Sequence, residues 1–577
     1  MHREVSPAGL GAIYGVEAFP ERKEPYRVVD RDVVENVDCC VIGSGAGGAI
    51  VATKLAAASK SVVLLERGGY YDGEDHNQRA LSMLPLLWKA SGTQFTEDLR
   101  IIIAQGRCLG GSTVINKAVC FRTPQIVRRQ WREMGVDISD EEWDEATEEV
   151  WERISVSKIT EEELNENNRM LRAGCEALRL THHGPNYRNC INCIGCGMCD
   201  LGCHYETKQD MLVTYIREAL HHPNSQIRIY TNCEARRITR EGDTVTGVEG
   251  NFLDHEGKIV YRIRVNPRVV VVAAGAIASS QLLLLNGIAE DKAGRGLSLN
   301  PASFVIGDFD KKVKAHNGIP MAYTCNEFGV TNGVEEGGFL LESITLPLQI
   351  AAAVPLLALK HKNLINRLRW GFWFGRPPIC IRLGTRDVQD IGRGIKLLIR
   401  LWRRRDHYAK AAVLIRDEAS GLVTLAEDGE PRISYRLGPR DASHIARGMA
   451  LLARMWFRLG ANKVFTPHRD TIELNSEEDI PDMVLAVRQN PDRLMLGSAH
   501  PQGGNRMGED PLTCVVDSRG RVHGLRNLFV ADASVFPTSV GVNPQVTVMA
   551  VATLVAKHLE ANWDLIAHPA PLRVPLS

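Results

Sequence analysis

Asp38-Cys39-Cys40-Val41-Ile42-Gly43-Ser44-Gly45-Ala46-Gly47-Gly48-Ala49-Ile50-Val51-Ala52-Thr53-Lys54-Leu55, running on to Val62-Val63-Leu64-Leu65-Glu66-Arg67-Gly68, reads as strand, turn, helix and strand. Gly43, Gly45 and Gly48 stand at G-x-G-x-x-G spacing between an apolar run and an Ala-rich helical segment that reaches Ala58. A second apolar run ends on Glu66. This is the pattern of a dinucleotide-binding βαβ unit, in which the glycines allow a tight turn, close approach of a pyrophosphate and close packing of helix on strand. The helix N-terminus favours the pyrophosphate charge, and Glu66 is placed to accept from a ribose hydroxyl. The unit alone does not separate FAD from NAD.

The 577-residue length exceeds one ordinary core, so two or more domains are expected. Composition is that of a globular protein, and a formal net charge of zero gives no global field toward nucleic acid. Met1-His2-Arg3-Glu4-Val5-Ser6-Pro7 lacks the apolar core of a secretory signal, which places the expected location in the cytoplasm. Fourteen cysteines in such a chain do not read as a disulfide framework. Residues 1–35 are charged and Pro-bearing without periodicity and read as a surface extension.

Downstream of the βαβ unit comes Gly106-Arg107-Cys108-Leu109-Gly110-Gly111-Ser112-Thr113-Val114-Ile115-Asn116. This stretch resembles the first signature of the glucose-methanol-choline family of flavin oxidoreductases. Val269-Val270-Val271-Val272-Ala273-Ala274-Gly275-Ala276 with Ser279 to Gly287 resembles the second, departing from it at Asn286, where serine is commoner. His500-Pro501-Gln502-Gly503, then Leu528-Phe529-Val530-Ala531-Asp532, then Asn543-Pro544 resembles the closing pattern. Ala531 to Pro544 and Ser498-Ala499-His500-Pro501 are most similar to the long-chain fatty alcohol oxidase branch. Gly503-Gly504-Asn505-Arg506-Met507-Gly508 differs from that branch's usual Gly-Thr-Cys-Arg-Met-Gly.

The resemblance implies an α/β fold of two domains: a Rossmann-like FAD-binding domain and an α+β substrate domain whose sheet covers the flavin. Segments 36–126, 205–299 and 496–577 would build the first and segments 127–204 and 300–495 the second. It also implies a set of FAD-binding residues: Gly43, Gly45, Gly48, Glu66, Arg67, Gly106, Arg107, Gly110, Gly111, Ser112, Asn116, Ala274, Asp532, Ala533, Asn543, Pro544, Gln545 and Thr547. Some members attach FAD through a histidine in the first signature. Ser112 to Asn116 contains none, so non-covalent FAD is expected. His500 matches the active-site histidine and Asn543 the position that holds asparagine or a second histidine in relatives.

Oxidation of an alcohol removes the hydroxyl proton as a hydride passes from carbon to flavin N5, and an imidazole is suited to the proton step. The expected reaction is therefore FAD-dependent oxidation of an alcohol, a hydrophobic or long-chain primary one, to the aldehyde or ketone, with His500 as base and Asn543 orienting the hydroxyl. The alternative is a non-redox lyase or decarboxylase on the same fold.

Two further segments bear on partners. Cys193, Cys196, Cys199 and Cys203 have the C-x2-C-x2-C-x3-C spacing of ferredoxins, with Cys190 just upstream and His204 where proline is usual. An iron–sulfur cluster, a structural zinc site and packed reduced cysteines all fit this spacing. The acceptor of the electrons is accordingly oxygen or an electron carrier, and the cysteine run favours a dehydrogenase. Within 346–410, an apolar stretch broken by Pro347 and Pro355 leads into a run rich in Arg and Lys interleaved with Trp370, Phe372, Trp373, Phe374 and Trp402. This suits either peripheral contact with the inner face of a membrane or a solvated lid, and no nucleic acid partner is expected.

Overall fold

Val41 and Ile42 close the strand Val33–Ile42, which in the computed structural model lies at the middle of a nine-stranded sheet. The structure describes residues 11–16, 26–335, 337–345 and 403–567. From the centre outward, Val33–Ile42 is followed on one side by Ser61–Leu65, Gln226–Tyr230, Ala12–Gly15 and Tyr26–Val28, all parallel. On its other side lies Ile259–Val272, which pairs in parallel along its length. A meander of Thr244–Leu253 and Cys233–Glu241 continues from there. The end of Ile259–Val272 is taken up by Leu528–Val530, with Val270, Val271 and Val272 opposite Leu528, Phe529 and Val530.

Parallel strands covered on both faces read as unbroken apolar runs. Cys39, Cys40, Val41, Val62, Val63, Leu64 and Val269 to Val272 are all fully buried. The helix Gly48–Ala57 is apolar nearly all round because it is enclosed between this sheet and the helix Gln545–Ala561. Aromatic packing closes the far side, where Trp131 stacks obliquely on Trp143 and Phe536 at 5.9 and 5.2 Å between ring centres.

A second nine-stranded sheet, mostly antiparallel, runs Glu473–Leu474, Lys463–Phe465, Ala302–Asp308, Tyr408–Ile415, Phe339–Ser343, Tyr323–Cys325 and His183–Pro185. Leu496–Ser498 joins the strand Ala302–Asp308 and links it to Ile101–Ile103. The amphipathic helix Pro439–Arg458 packs behind it so closely that a Cβ on Gly448 would overlap the Val413 side chain. These are the layers of an α/β protein with an attached α+β sheet, the expected fold class.

One sequence reading changes. Ala12–Gly15, read as part of a surface extension, is a parallel strand of the first sheet with Ile13 fully buried. Val269–Val272 is the end of one long strand, Ile259–Val272, which continues through Pro267. Residues 139–180 hold the helices Asp140–Arg153 and Glu166–Ala177, the first opened by a Ser139/Glu142 capping box.

Residues 346–402 of the basic and aromatic segment lie outside the described residues. At its described end Arg404 pairs with Asp308. Among the described residues no helix is long and apolar enough to cross a membrane.

Candidate active site

The turn after Ile42 is knitted to two other motifs by one hydroxyl. Ser44 Oγ donates to Glu66 at 2.5 Å and accepts from the Gly110 amide at 3.0 Å. Glu66 accepts also from the Ser44 and Gly68 amides at 3.1 and 2.8 Å, so the carboxylate at the end of the second strand holds the first loop in shape. Arg67 and Arg107 lie at this same edge beside Lys89, whose amine burial and the neighbouring Arg67 charge pull down to about 8.

The second loop folds on itself, with Ser112 Oγ accepting from the Gly106 amide at 2.9 Å. Asn116 donates to Gln545 Oε1 at 2.8 Å, and Gln545 donates to the Val119 carbonyl at 2.7 Å. Thr547 meets Thr123 at 2.9 Å between hydroxyls. Asp532 ties the closing motif to the second signature: it accepts from the Gly275 and Ser534 amides, both at 2.8 Å, and from Ser279 Oγ. Ala274 donates its amide to the same Ser279.

These loops fit a flavin dinucleotide. A Cβ on Gly47 would overlap the Ala531 carbonyl, and one on Gly48 the Gly43 carbonyl, so those glycines serve packing. A Cβ on Gly45 would meet only the Gly111 Cα, at 4.0 Å, leaving the space in front of the helix open where a pyrophosphate belongs. Buried oxygens of Gln105, Ser534 and Asn543 have no partner among the described residues.

His500 follows the strand Leu496–Ser498, and its amide donates to Ser498 Oγ at 3.2 Å. Its Nδ1 lies 2.9 Å from Asn300 Oδ1. Asn300 is fully buried in a left-handed turn with φ of 44°, held by its own amide on Asp417 and its side-chain NH2 on the Ile415 carbonyl. Asp417 is buried in turn and accepts from Ser298, Leu299 and Tyr435 as well. The Asn300 NH2 being used, its oxygen faces His500 and requires a proton on Nδ1. Nε2 is then the basic nitrogen, and Asn543 Nδ2 sits 3.3 Å from it. Burial pulls the imidazole down to about 4, so at neutral pH it is neutral and its Nε2 is unprotonated. Asn543 and Pro544 immediately precede the helix Gln545–Ala561, whose N-terminus presents the positive end of its dipole.

The structure thus gathers His500, Asn543 and Gln545 on one side and the glycine loops, Glu66 and Asp532 along a continuous edge. It adds three residues that no motif marked, Asn300, Asp417 and Glu342. Glu342 is 1% exposed on the strand Phe339–Ser343 and lies beside Asn543.

The cysteine loop packs on the second glycine loop. The buried Lys208 amine bonds the carbonyls of Val114, Asn116 and Cys199, and Lys117 pairs with Asp200. Arg188, 2% exposed, directs its guanidinium at the sulfurs of Cys193 and Cys199, at 3.8 and 3.6 Å, and at the Lys117 carbonyl. The neighbouring Cys190 thiol and the nearby guanidinium hold the Cys193 thiol well below the ordinary range. Cys196 meets Gln78 and Cys203 meets Thr207. Cys190, Cys193, Cys196, Cys199 and Cys203 do not converge as a ligand set, and among the described residues no three Cys, His, Asp or Glu side chains form a metal-binding group.

The family profiles described as GMC oxidoreductase match residues 42–302 and 417–552, spanning both glycine loops, His500 and Asn543. The chain belongs to the GMC oxidoreductase family. A GMC oxidoreductase is an FAD enzyme acting on CH–OH donors. An uncharacterised GMC-type oxidoreductase of Mycobacterium tuberculosis is 28% identical over 538 residues, 92% of this chain and 77% of that protein. A long-chain-alcohol oxidase of Arabidopsis thaliana is 28% identical over 536 residues, 89% of this chain and 67% of that protein. The fold is shared with pyridoxine 4-oxidase from Mesorbium loti, at a TM-score of 0.60 and 18% identity over 91% of this chain and 99% of that one. It is also shared with formate oxidase from Aspergillus oryzae, at 0.63 and 16% over 92% and 99%.

Proposed function

We propose that this GMC oxidoreductase oxidises an alcohol with an apolar body to its carbonyl compound, with His500 as the base and oxygen as the final electron acceptor. The observation that carries the chemistry is the tautomer imposed on His500 by Asn300, which leaves Nε2 basic beside the Asn543 amide. When bound, non-covalent FAD supplies the hydride acceptor. Nε2 takes the hydroxyl proton as the carbon gives up its hydride, so the C–O single bond becomes a carbonyl. Nδ1–H stays on Asn300 and stabilises the resulting imidazolium. Asn543 Nδ2 is placed to hold the substrate oxygen, fixing which hydrogen faces away from the base. The positive end of the Gln545–Ala561 helix favours negative charge that develops nearby.

Support for an apolar substrate body comes from the inner face of the second sheet, where Val119, Met321, Ile344 and Ala412 cluster with Phe121, Ala302 and Phe304 around them. The plant relatives named long-chain-alcohol oxidases support both that body and oxygen as acceptor. The cysteine loop, with no converged ligand set, gives the earlier dehydrogenase reading no support of its own.

The test is an anaerobic flavin spectrum of the purified protein during addition of alcohols graded from ethanol to long-chain and sterol-like compounds. Bleaching by apolar members, followed by rapid recovery in air, is expected. A flavin reduced by dithionite but by no alcohol overturns the reading, and slow recovery in air overturns the choice of oxygen.

A further inference from the structure

The strand Phe339–Ser343 turns Phe339 and Leu341 into the core beneath the helix Pro439–Arg458. Successive side chains on a strand point to opposite faces, so Leu340 and Glu342 face the other way. Ala412 and Thr324 are the register partners of Glu342 on the strands to either side. Glu342 therefore projects from the same wall as the apolar cluster of Val119, Met321, Ile344 and Ala412. A carboxyl group there is out of keeping with its surroundings.

Three polar atoms at this place have no partner among the described residues: Glu342 Oε1, Thr324 Oγ1 and Asn543 Oδ1. Their residues are 1%, 1% and 7% exposed, so water does not serve them in bulk. They are also neighbours. Thr324 and Glu342 are directly opposite across the ladder, Glu342 lies beside Asn543, and Asn543 lies 3.3 Å from His500 Nε2. Buried polar atoms are nearly always paired, and three adjacent orphans beside a basic imidazole mark where a ligand completes the network.

We infer that Glu342, Thr324 and Asn543 form a polar subsite that hydrogen-bonds a second hydroxyl of the substrate, close to the carbon being oxidised. The inference rests on the alcohol-oxidation reading and narrows it from a plain hydrocarbon alcohol to one with an apolar body and a diol-like head. A hydrocarbon chain offers these atoms nothing. A hydroxyl both donates and accepts, which suits two carbonyl-type oxygens beside a threonine. Burial pushes the Glu342 carboxyl up to about 8, so at neutral pH it is a neutral acid that matches a hydroxyl without an unpaired charge. Sites built to bond a substrate hydroxyl discriminate strongly against the analogue lacking it.

The experiment uses the flavin-loaded enzyme and a matched pair of probes, a long-chain alkan-1-ol and the vicinal diol of the same chain length. The concentration dependence of anaerobic flavin reduction gives the half-saturating concentration and limiting rate for each. Wild type is expected to favour the diol by about tenfold or more in the ratio of rate to half-saturation. Glu342→Leu brings that preference close to unity, and Glu342→Gln, which still hydrogen-bonds, keeps most of it. Flavin absorbance per chain shows whether each variant is folded and loaded, and Thr324→Val, also expected to reduce the preference, stands in if Glu342→Leu is not. Bleaching by both probes with no diol preference in wild type, or a preference that survives both the glutamate and threonine changes, overturns the subsite alone. Bleaching by neither, with dithionite effective, overturns the alcohol reading beneath it.

Discussion

Asn300 Oδ1 lies 2.9 Å from His500 Nδ1, and the NH2 of the same asparagine is committed to the Ile415 carbonyl at 2.7 Å. A residue two hundred positions away thereby decides which imidazole nitrogen is the base. Asp417, which holds the Asn300 amide, fixes the decision in turn.

The working form of His500 is the neutral one. With its folded value pulled down to about 4 by burial, the imidazole stays neutral as pH falls from 8 toward 5 and gains its proton only near 4. The limiting rate of flavin reduction should be flat over that upper range and fall as pH drops through about 4. Asn300→Asp places a carboxylate on Nδ1, favours the imidazolium and should move the falling limb upward. Rapid-mixing measurements across pH check this, and a wild-type limb at the ordinary histidine value near 6.5 would refute it.

Removing the base should separate chemistry from cofactor binding. His500→Ala is expected to load FAD as wild type does and to reduce it slower by roughly a hundredfold to ten-thousandfold. Asn543→Ala should slow the same step by about a hundredfold through misplacement of the hydroxyl. Flavin content and single-turnover rates distinguish these effects from misfolding.

Gly45 and Gly47 should respond differently to one added methyl group. Gly47→Ala collides with the Ala531 carbonyl and is expected to lose both stability and FAD. Gly45→Ala has room in the protein alone, with its nearest neighbour at 4.0 Å, and should keep the apoprotein's melting temperature within a few degrees while losing FAD affinity. Thermal unfolding of apo forms beside flavin titration provides the comparison. Equal apo stability of the two variants would contradict it.

Asp532 joins two distant motifs through the Gly275 and Ser534 amides and Ser279. Asp532→Ala strands these donors in the interior and should cost about 2–4 kcal/mol in urea unfolding of the apoprotein. Asp532→Asn, which keeps an accepting oxygen, should cost less. Indistinguishable losses would mean that space, rather than hydrogen bonding, sets the cost.

The sequence displayed those parts of the fold whose burial leaves an unbroken apolar run. Val62 to Leu65 and Val269 to Val272 were legible because a parallel strand covered on both faces admits little else. Ala12–Gly15 was not, since four residues beside charged and proline-bearing sequence carry no period of their own and become a strand only by pairing with Gln226–Tyr230. In the site, His500 and Asn543 were found through motif order. Asn300, Asp417 and Glu342 were hidden because each acts through a partner far along the chain, and an isolated Asn, Asp or Glu has no spacing to betray it. The cysteine spacing was conspicuous, yet a ligand set depends on the direction of each thiol, which the spacing does not encode.

The flank of Val270 to Val272 is covered by Leu528 to Val530. Synthesis on the ribosome therefore delivers the covering strand more than two hundred and fifty residues after the strand it covers. Until then, a nascent chain presents a bare valine edge of the kind that invites pairing with other molecules. A chain stopped before Leu528 would be an aggregation hazard in place of a smaller enzyme, and the time spent waiting for that last strand is where chaperones would matter most.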